Sequence, residues 1–153
     1  MKRIEVRLSL PVVAPLLDVI KTSADALNGR LAASVEAPEM EVEYSDTWRS
    51  ELLASQNTDV KTLLALFDSE FFTSGVVGFD EGNAEAIVRA SAAIRLYLRE
   101  HYLQPLGDET LESGDIEIDE LQEPVRKAFM CYLFLATIQE LIIQHLDSSI
   151  LGS

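Results

Sequence analysis

Apolar and polar residues alternate strictly at the start of the chain, and the spacing then changes. Four apolar residues are separated by three polar ones over residues 4–10: Ile4, Glu5, Val6, Arg7, Leu8, Ser9 and Leu10. A period of two predicts a strand that is buried on one face. The apolar residues that follow recur instead at helical spacing: Leu16, Leu17, Ile20, Ala24 and Leu27. Ser9 and Pro11 suit the start of this helix, and Asn28-Gly29 suits its end.

The next part of the chain predicts two helices separated by a polar break. Residues 36–43 contain Pro38 and four glutamates, so we expect an exposed connection there. Ser45 or Asp46 would cap the following helix, which residues 55–58 (Ser-Gln-Asn-Thr) would interrupt. A further helix is predicted by five apolar residues on one helical face: Val60, Leu63, Leu64, Phe67 and Phe71. Thr73-Ser74-Gly75 would end it.

A second short strand precedes a long predicted helix. Residues 75–79 are short and apolar, and we expect them to pair with the N-terminal strand. Asp80 or Asn83 would cap the helix that follows, and Pro105 and Gly107 would end it. Its apolar face is formed by Ala84, Ile87, Ala90, Ile94, Leu98 and Tyr102.

The last third of the chain pairs an acidic segment with an apolar helix. Residues 107–123 contain eight acidic residues and no basic one, which predicts a surface loop. Pro124 suits the first turn of a final helix that runs to about Leu146. This helix is apolar almost all round over residues 128–138, which predicts burial at the centre of the domain or between subunits.

Together these elements predict the fold class. We expect a mainly α protein, a helical bundle of four to five helices, with a small two-stranded β-sheet formed by the N-terminal strand and residues 75–79. The chain has 153 residues and no internal repeat or linker, so residues 1–153 are predicted to form a single domain. A domain of this length buries about 70% of its unfolded surface and requires no disulfide or metal.

The charge of the chain narrows the range of partners. Twelve basic residues stand against 26 acidic ones, which gives a net charge of −14. Such a surface repels nucleic acid and anionic membranes, so we expect neither as a partner. The longest apolar run, residues 128–143, is interrupted by Gln139 and Glu140. The N-terminus faintly resembles a signal peptide, but charged residues and prolines interrupt the pattern: Glu5, Arg7, Pro11, Pro15 and Asp18. These features predict a cytoplasmic protein without a membrane span.

Motifs for catalysis, metal binding and cofactor binding are missing from the sequence. Cys131 lies in an apolar run and is predicted to be a core residue rather than a nucleophile. The two histidines, His101 and His145, stand near predicted helix ends without a base motif or zinc spacing. Asp115, Glu117 and Asp119 alternate as in a calcium loop, but the glycine and the final acidic ligand of such a loop are missing. We therefore expect no catalytic residues, no metal and no cofactor.

One constellation of polar residues interrupts the apolar helices. Arg95 and Arg99 lie one turn apart on the fourth predicted helix, and Tyr132, Gln139 and Glu140 lie on the last one. If the two helices pack together, Arg95 would meet Glu140 or Gln139. Two interpretations remain open: a polar network that fixes helix register, or the wall of a groove for a ligand or partner.

The same segments resemble a known bacterial family. Residues 84–98 resemble its helix with an Arg-Leu-x-Leu core, and residues 132–141 resemble its final helix with the pattern Tyr-x-x-Leu-x-x-Leu-Gln-Glu. The positions matched are Arg95, Leu96, Leu98, Tyr132, Leu135, Gln139 and Glu140. The family is catalogued as domain of unknown function two thousand and seventeen, and the resemblance covers about residues 46–146. It implies no activity. It does imply a link to bacterial protein quality control, because genes of the family often neighbour the adaptor that delivers substrates to the Clp protease.

Three functional hypotheses follow. The first is a non-catalytic protein-interaction or adaptor protein, with an unidentified protein partner and a homodimeric state. The second is an acidic regulator that masks a basic surface, for which the acidic segment 107–123 is the motivation. The third is a small-ligand binder or enzyme with its site near Arg95, Tyr132, Gln139 and Glu140.

Overall fold

The computed structural model describes residues 3–32, 42–113 and 117–146. Strand β1 is Arg3–Arg7, and helices α1 and α2 are Leu10–Leu27 and Val42–Leu64. The short helix α3, Ser69–Ser74, leads into strand β2, Val76–Asp80. Three further helices follow: α4 (Ala84–His101), α5 (Asp108–Ser113) and α6 (Val125–His145), with a 3-10 turn at Ile118–Glu120 between the last two. The predicted mainly helical fold with a small two-stranded sheet is confirmed.

The two strands pair antiparallel, as the sequence predicts. Ile4 lies opposite Phe79, and Val6 lies opposite Val77, so the apolar residues of both strands share the inner face. Phe79 is fully buried and Val77 nearly so, whereas Arg3, Glu5 and Arg7 are exposed on the outer face. The alternation in the sequence therefore reflects a sheet with one face on the core.

A glycine joins helix α3 to the sheet. Gly75 follows α3 with a φ angle of 78°, a left-handed conformation that disfavours residues with a Cβ. A Cβ added there would also lie 2.6 Å from the carbonyl oxygen of Leu8. The Leu8 amide donates to the Gly75 carbonyl at 2.7 Å, so this close approach extends the strand pairing by one residue pair.

The polar residues at 55–58 do not interrupt helix α2, and this prediction was wrong. Gln56 instead uses its side-chain amide on the neighbouring chain segment: its Oε1 accepts from the Ala32 amide, and its Nε2 donates to the carbonyls of Leu27 and Arg30. Because Gln56 satisfies the backbone beyond the end of α1, its polarity stabilises a contact between elements and not a local break.

The ends of α2 also differ from the prediction. The helix begins at Val42, before the expected caps Ser45 and Asp46, so the predicted connection 36–43 lies outside the described residues except for its last two positions. The chain turns at residues 65–68, and Asp68 caps α3 by accepting from the Phe71 amide at 3.0 Å. The predicted helix over residues 60–73 is therefore divided between α2 and α3.

The turn before α4 contains both predicted caps. Asn83 occupies the N-cap position, but its side chain serves the turn: Oδ1 accepts from the Asp80 amide, and Nδ2 donates to the Gly78 carbonyl. Asp80 Oδ1 accepts in return from the amides of Gly82 and Asn83. These hydrogen bonds fix the direction in which α4 leaves β2.

The buried side chains form one cluster that reaches from α1 to α6. Helix α4 packs against both α2 and α6, and α1 packs against α6 and α4. Within the part of the chain that the structure describes, α6 alone is long and apolar enough to cross a membrane. The core helix of a soluble protein meets the same criterion. Seven residues of α6 are buried in the protein: Ala128, Phe129, Cys131, Tyr132, Leu135, Ile138 and Ile142.

The acidic segment is more ordered than the predicted surface loop. Helix α5 and the 3-10 turn lie within residues 107–123, and residues 114–116 between them are outside the described part. Leu111 explains the difference, because its side chain is only 3% exposed and anchors α5 to the core. The acidic residues Glu109, Glu112, Glu117, Asp119, Glu120 and Glu123 remain exposed.

Candidate functional site

The packing of α4 on α6 brings Arg95 and Gln139 into contact. Gln139 Oε1 accepts from Arg95 Nη1 at 2.7 Å, and Gln139 Nε2 donates to the Val88 carbonyl at 3.0 Å. Gln139 of α6 therefore bridges the Arg95 side chain and the backbone of Val88, which lies about two turns earlier in α4. The three groups are partly buried, which makes their pairing more costly to break than a surface hydrogen bond.

The Tyr132 ring packs against the guanidinium group of Arg95. The Arg95 Cζ atom lies 4.4 Å from the centre of the Tyr132 ring, within the range of a cation–π interaction. Arg95 Nε is buried and has no hydrogen-bond partner among the described residues. Arg95 also forms no ion pair within that part of the chain. Its charge is thus held by a neutral amide and an aromatic face.

The other two residues of the predicted constellation lie apart from this network. Glu140 is exposed and accepts from Gln144 within its own helix at 2.9 Å, so it does not face Arg95. Arg99 is half-buried one turn beyond Arg95. It lines a cavity of about 340 Å³ together with Ala92, Arg95, Leu96, Glu112 and Tyr132.

A second cavity lies on the other side of the ridge that Ala92 and Leu96 form on α4. It has a volume of about 380 Å³ and lies between α2 and α4. Most of its lining is apolar and includes Leu31, Ala32, Leu52, Ala90 and Ala93. Ala92 and Leu96 line both cavities. We call the surface formed by Ala92, Ala93, Arg95, Leu96 and Arg99 the α4 face.

An ion pair at the edge of the second cavity was missed by the sequence reasoning. Arg89 Nε and Nη2 donate to the two carboxylate oxygens of Asp59, at 2.9 and 3.0 Å, and Arg89 Nη1 donates to Glu85 at 2.6 Å. The pKa of the Arg89 guanidinium is raised mainly by the hydrogen bond with Asp59 and to a smaller extent by Glu85. Asp59 is only 8% exposed. The Glu85–Arg89 spacing of one helical turn could have been noticed, but the contact with Asp59 joins distant segments.

The surroundings of Cys131 and His101 are typical of structural residues and not of catalytic ones. Cys131 is buried, and desolvation raises the pKa of its thiol to about 12, so the reactive thiolate is disfavoured. The His101 ring stacks on Tyr97 at 4.4 Å and lies 3.1 Å from Arg30 Nη2. Within residues 3–32, 42–113 and 117–146, no three His, Cys, Asp or Glu side chains are grouped to hold a metal ion.

The fold and the α4–α6 network define a small, mainly helical protein with a polar contact between two core helices. A family model described as "Domain of unknown function (DUF2017)" matches residues 10–146. The chain belongs to this family. The match begins well before residue 46, where the resemblance in the sequence begins, and so it includes α1. No curated protein matches the chain significantly, and no solved structure does.

Proposed function

We infer that this protein is a non-catalytic protein-interaction or adaptor protein that binds a segment of a partner protein along the α4 face. The observation that carries this proposal is the shared ridge of Ala92 and Leu96 between an apolar cavity and one with two arginines. A single peptide segment that crosses this ridge would contact both cavities. Extended or helical segments commonly bind such grooves through apolar anchors.

The lining of the two cavities indicates the chemistry of the partner. Leu31, Leu52 and Ala93 provide apolar contacts on one side of the ridge. On the other side, Arg95 and Arg99 line one cavity together with Glu112. Since the chain as a whole carries a net charge of −14, two neighbouring arginines are a local exception. We therefore expect a segment that places an apolar side chain next to a carboxylate.

Ala92 is well placed for a test because it is exposed and lies on the ridge. Ala92→Glu keeps a good helix former and adds bulk and negative charge where the segment would cross. The matched control is Thr137→Glu, which adds the same side chain at an exposed position of α6 outside both cavities. Each variant would be used as bait in a native lysate, with bound proteins identified by mass spectrometry.

The proposal predicts a protein partner that is retained by the wild type and by Thr137→Glu and is lost by Ala92→Glu. Arg99→Gln should weaken the binding of the same partner and should reduce the dependence of that binding on salt. A partner that Ala92→Glu retains would contradict binding at the α4 face. A basic partner that both glutamate variants retain at low salt, and that is lost at high salt, would support the acidic-regulator hypothesis instead.

We expect a cytoplasmic location from the sequence pattern, and the family resemblance supports a link to bacterial protein quality control. The identity of the partner would test that link directly. In the small-ligand hypothesis, the ligand would occupy only the cavity beside Arg95 and Tyr132. Because Ala92 lines that cavity too, Ala92→Glu would reduce the binding of a small ligand as well as that of a peptide. Binding of a protein by the wild type, with no small molecule carried through purification, favours the peptide.

A further inference from the structure

Strand β1 has one edge that pairs with no described strand. Strand β1 pairs with β2 on one side, and β1 and β2 are the two strands of the sheet within the described residues. The Leu8 amide donates to the Gly75 carbonyl, which shows that Leu8 and, by alternation, Val6 and Ile4 form the hydrogen-bonded pairs with β2. The backbone groups of Arg3, Glu5 and Arg7 therefore point away from β2.

The side chains along this edge carry a definite charge pattern. Arg3 lies back across the sheet: a Cβ at Gly78 would overlap its guanidinium, and its Nη1 is 3.5 Å from Asp80 Oδ2. Glu5 is exposed and lies 4.0 Å from Arg3. Arg7 is exposed and has no ion pair or hydrogen bond with a described residue. The charge of Arg7 is thus free to meet a partner.

The opposite face of the strand is apolar and only partly covered. Ile4, Val6 and Leu8 pack against the core but remain half-buried. An additional strand along β1 would cover more of these side chains and would satisfy the outward backbone groups at the same time.

A second copy of β1 fits this edge in an antiparallel arrangement, and the charges select the register. Centring the pair on Glu5 would place two glutamates opposite each other and would oppose Arg3 to Arg7, which is unfavourable. Centring the pair on Val6 places Glu5 opposite Arg7 of the second copy, twice by symmetry. It also places Ile4 opposite Leu8 on the apolar face.

We propose that two copies of this chain associate through antiparallel pairing of their β1 edges, with Val6 on the two-fold axis, to form a continuous four-stranded sheet. A register centred on Ile4 would also pair arginine with glutamate, but it overlaps fewer of the described residues. The interface lies on β1 and leaves the residues of the α4 face outside the pairing. Self-association and binding of another protein can therefore be tested separately.

Cysteine cross-linking tests the register directly. In the proposed pairing, the two Val6 residues form a non-hydrogen-bonded pair with Cα atoms about 4.5 Å apart, a separation that a disulfide can span. Val6→Cys should form a covalent dimer in the full chain under mild oxidation. Ile4→Cys is the matched control, because the two Ile4 residues would lie several residues apart. Buried Cys131 should not contribute.

The cross-linking outcomes are distinct. A covalent dimer with Val6→Cys and none with Ile4→Cys supports the proposal. Cross-linking by Ile4→Cys alone would overturn the register, and cross-linking by neither variant would overturn the association. Circular dichroism of each reduced variant shows whether the fold is retained.

Charge exchange provides a second test with its own control. Glu5→Arg and Arg7→Glu should each raise the dissociation constant of the dimer about tenfold, since either one places like charges opposite each other. The double variant E5R/R7E should restore the wild-type constant in sedimentation equilibrium. A monomeric wild type at high protein concentration, or a double variant no better than the single ones, would contradict the proposal.

Discussion

At the scale of single residues, Gln139 is the most informative side chain of the site. It accepts from Arg95 and donates to the Val88 carbonyl, and each of these groups is partly buried. Removing Gln139 would leave the charged Arg95 donor without its acceptor, whereas the Val88 carbonyl would keep its hydrogen bond within α4. Leaving such groups unsatisfied costs more than the hydrogen bonds contribute when they are present.

We therefore expect Gln139→Ala to lower the free energy of unfolding by about 1–3 kcal/mol. Glu140→Ala is the matched control, because Glu140 is adjacent but exposed, and it should change stability by less than about 0.5 kcal/mol. Urea unfolding followed by circular dichroism measures both. Equal effects of the two substitutions would show that the network with Arg95 contributes nothing to stability.

Cys131 provides a second prediction at this scale. Desolvation raises the pKa of its thiol to about 12, and the thiolate is therefore scarce at neutral and mildly alkaline pH. A thiol reagent at pH 8 should leave the native protein unlabelled for hours and should label one equivalent in guanidinium chloride. Rapid labelling of the native protein would show that the end of α6 near Cys131 opens readily.

The sequence predicted that Arg95 would meet Glu140 or Gln139 and left open which of the two. Both Gln139 and Glu140 interrupt an apolar helix, so either could face Arg95 when only the spacing is known. The rotation of α6 is decided by buried neighbours such as Leu135 and Ile138, which place Gln139 towards α4 and Glu140 in solvent. Packing of a whole helix face is not readable from two adjacent polar residues.

At the scale of elements, Gln56 connects α2 to the end of α1. Its three hydrogen bonds reach Ala32, Leu27 and Arg30, all in a segment that has left the helix or is ending it. Asn57 adds a hydrogen bond to the Asn28 carbonyl at 3.1 Å. The polar residues within α2 thus cap a neighbouring helix, a role that local helix propensity cannot indicate.

Gln56→Ala should destabilise the protein by about 1–2 kcal/mol, although alanine is the better helix former. Ser55→Ala, at the exposed neighbouring position, should have no such effect. Thermal unfolding of the two variants compares them directly. A stabilised Gln56→Ala variant would mean that helix propensity in α2 outweighs the contact with α1.

Two of the element boundaries show where sequence reasoning succeeds and fails. The strand pair was predictable because alternation over residues 4–10 and the apolar run 75–79 are both local signals. The division between α2 and α3 was not, since the apolar stripe through Phe67 and Phe71 continues across the turn. Phe67 and Phe71 still contact each other edge to face, 5.2 Å between ring centres, so the core is continuous where the helix is not.

At the scale of the whole molecule, the acidic surface reaches the edge of the α4 face. Six acidic side chains are exposed, and one of them, Glu112, lines the cavity beside the two arginines of α4: Glu109, Glu112, Glu117, Asp119, Glu120 and Glu123. A net charge of −14 keeps copies and other acidic proteins apart at long range. Association should therefore depend on local complementarity at the α4 face and at the β1 edge.

Site-specific photo-cross-linking is the most direct measurement of the central claim, binding of a protein segment at the α4 face. A photoreactive residue would replace Ala92 in one sample and Thr137 in a control, and both proteins would be irradiated in native lysate. We predict a discrete adduct from position 92, with a peptide that places an apolar residue next to a carboxylate, and no such adduct from position 137. Absence of an adduct at position 92, or the same adducts at both positions, would contradict the proposed function.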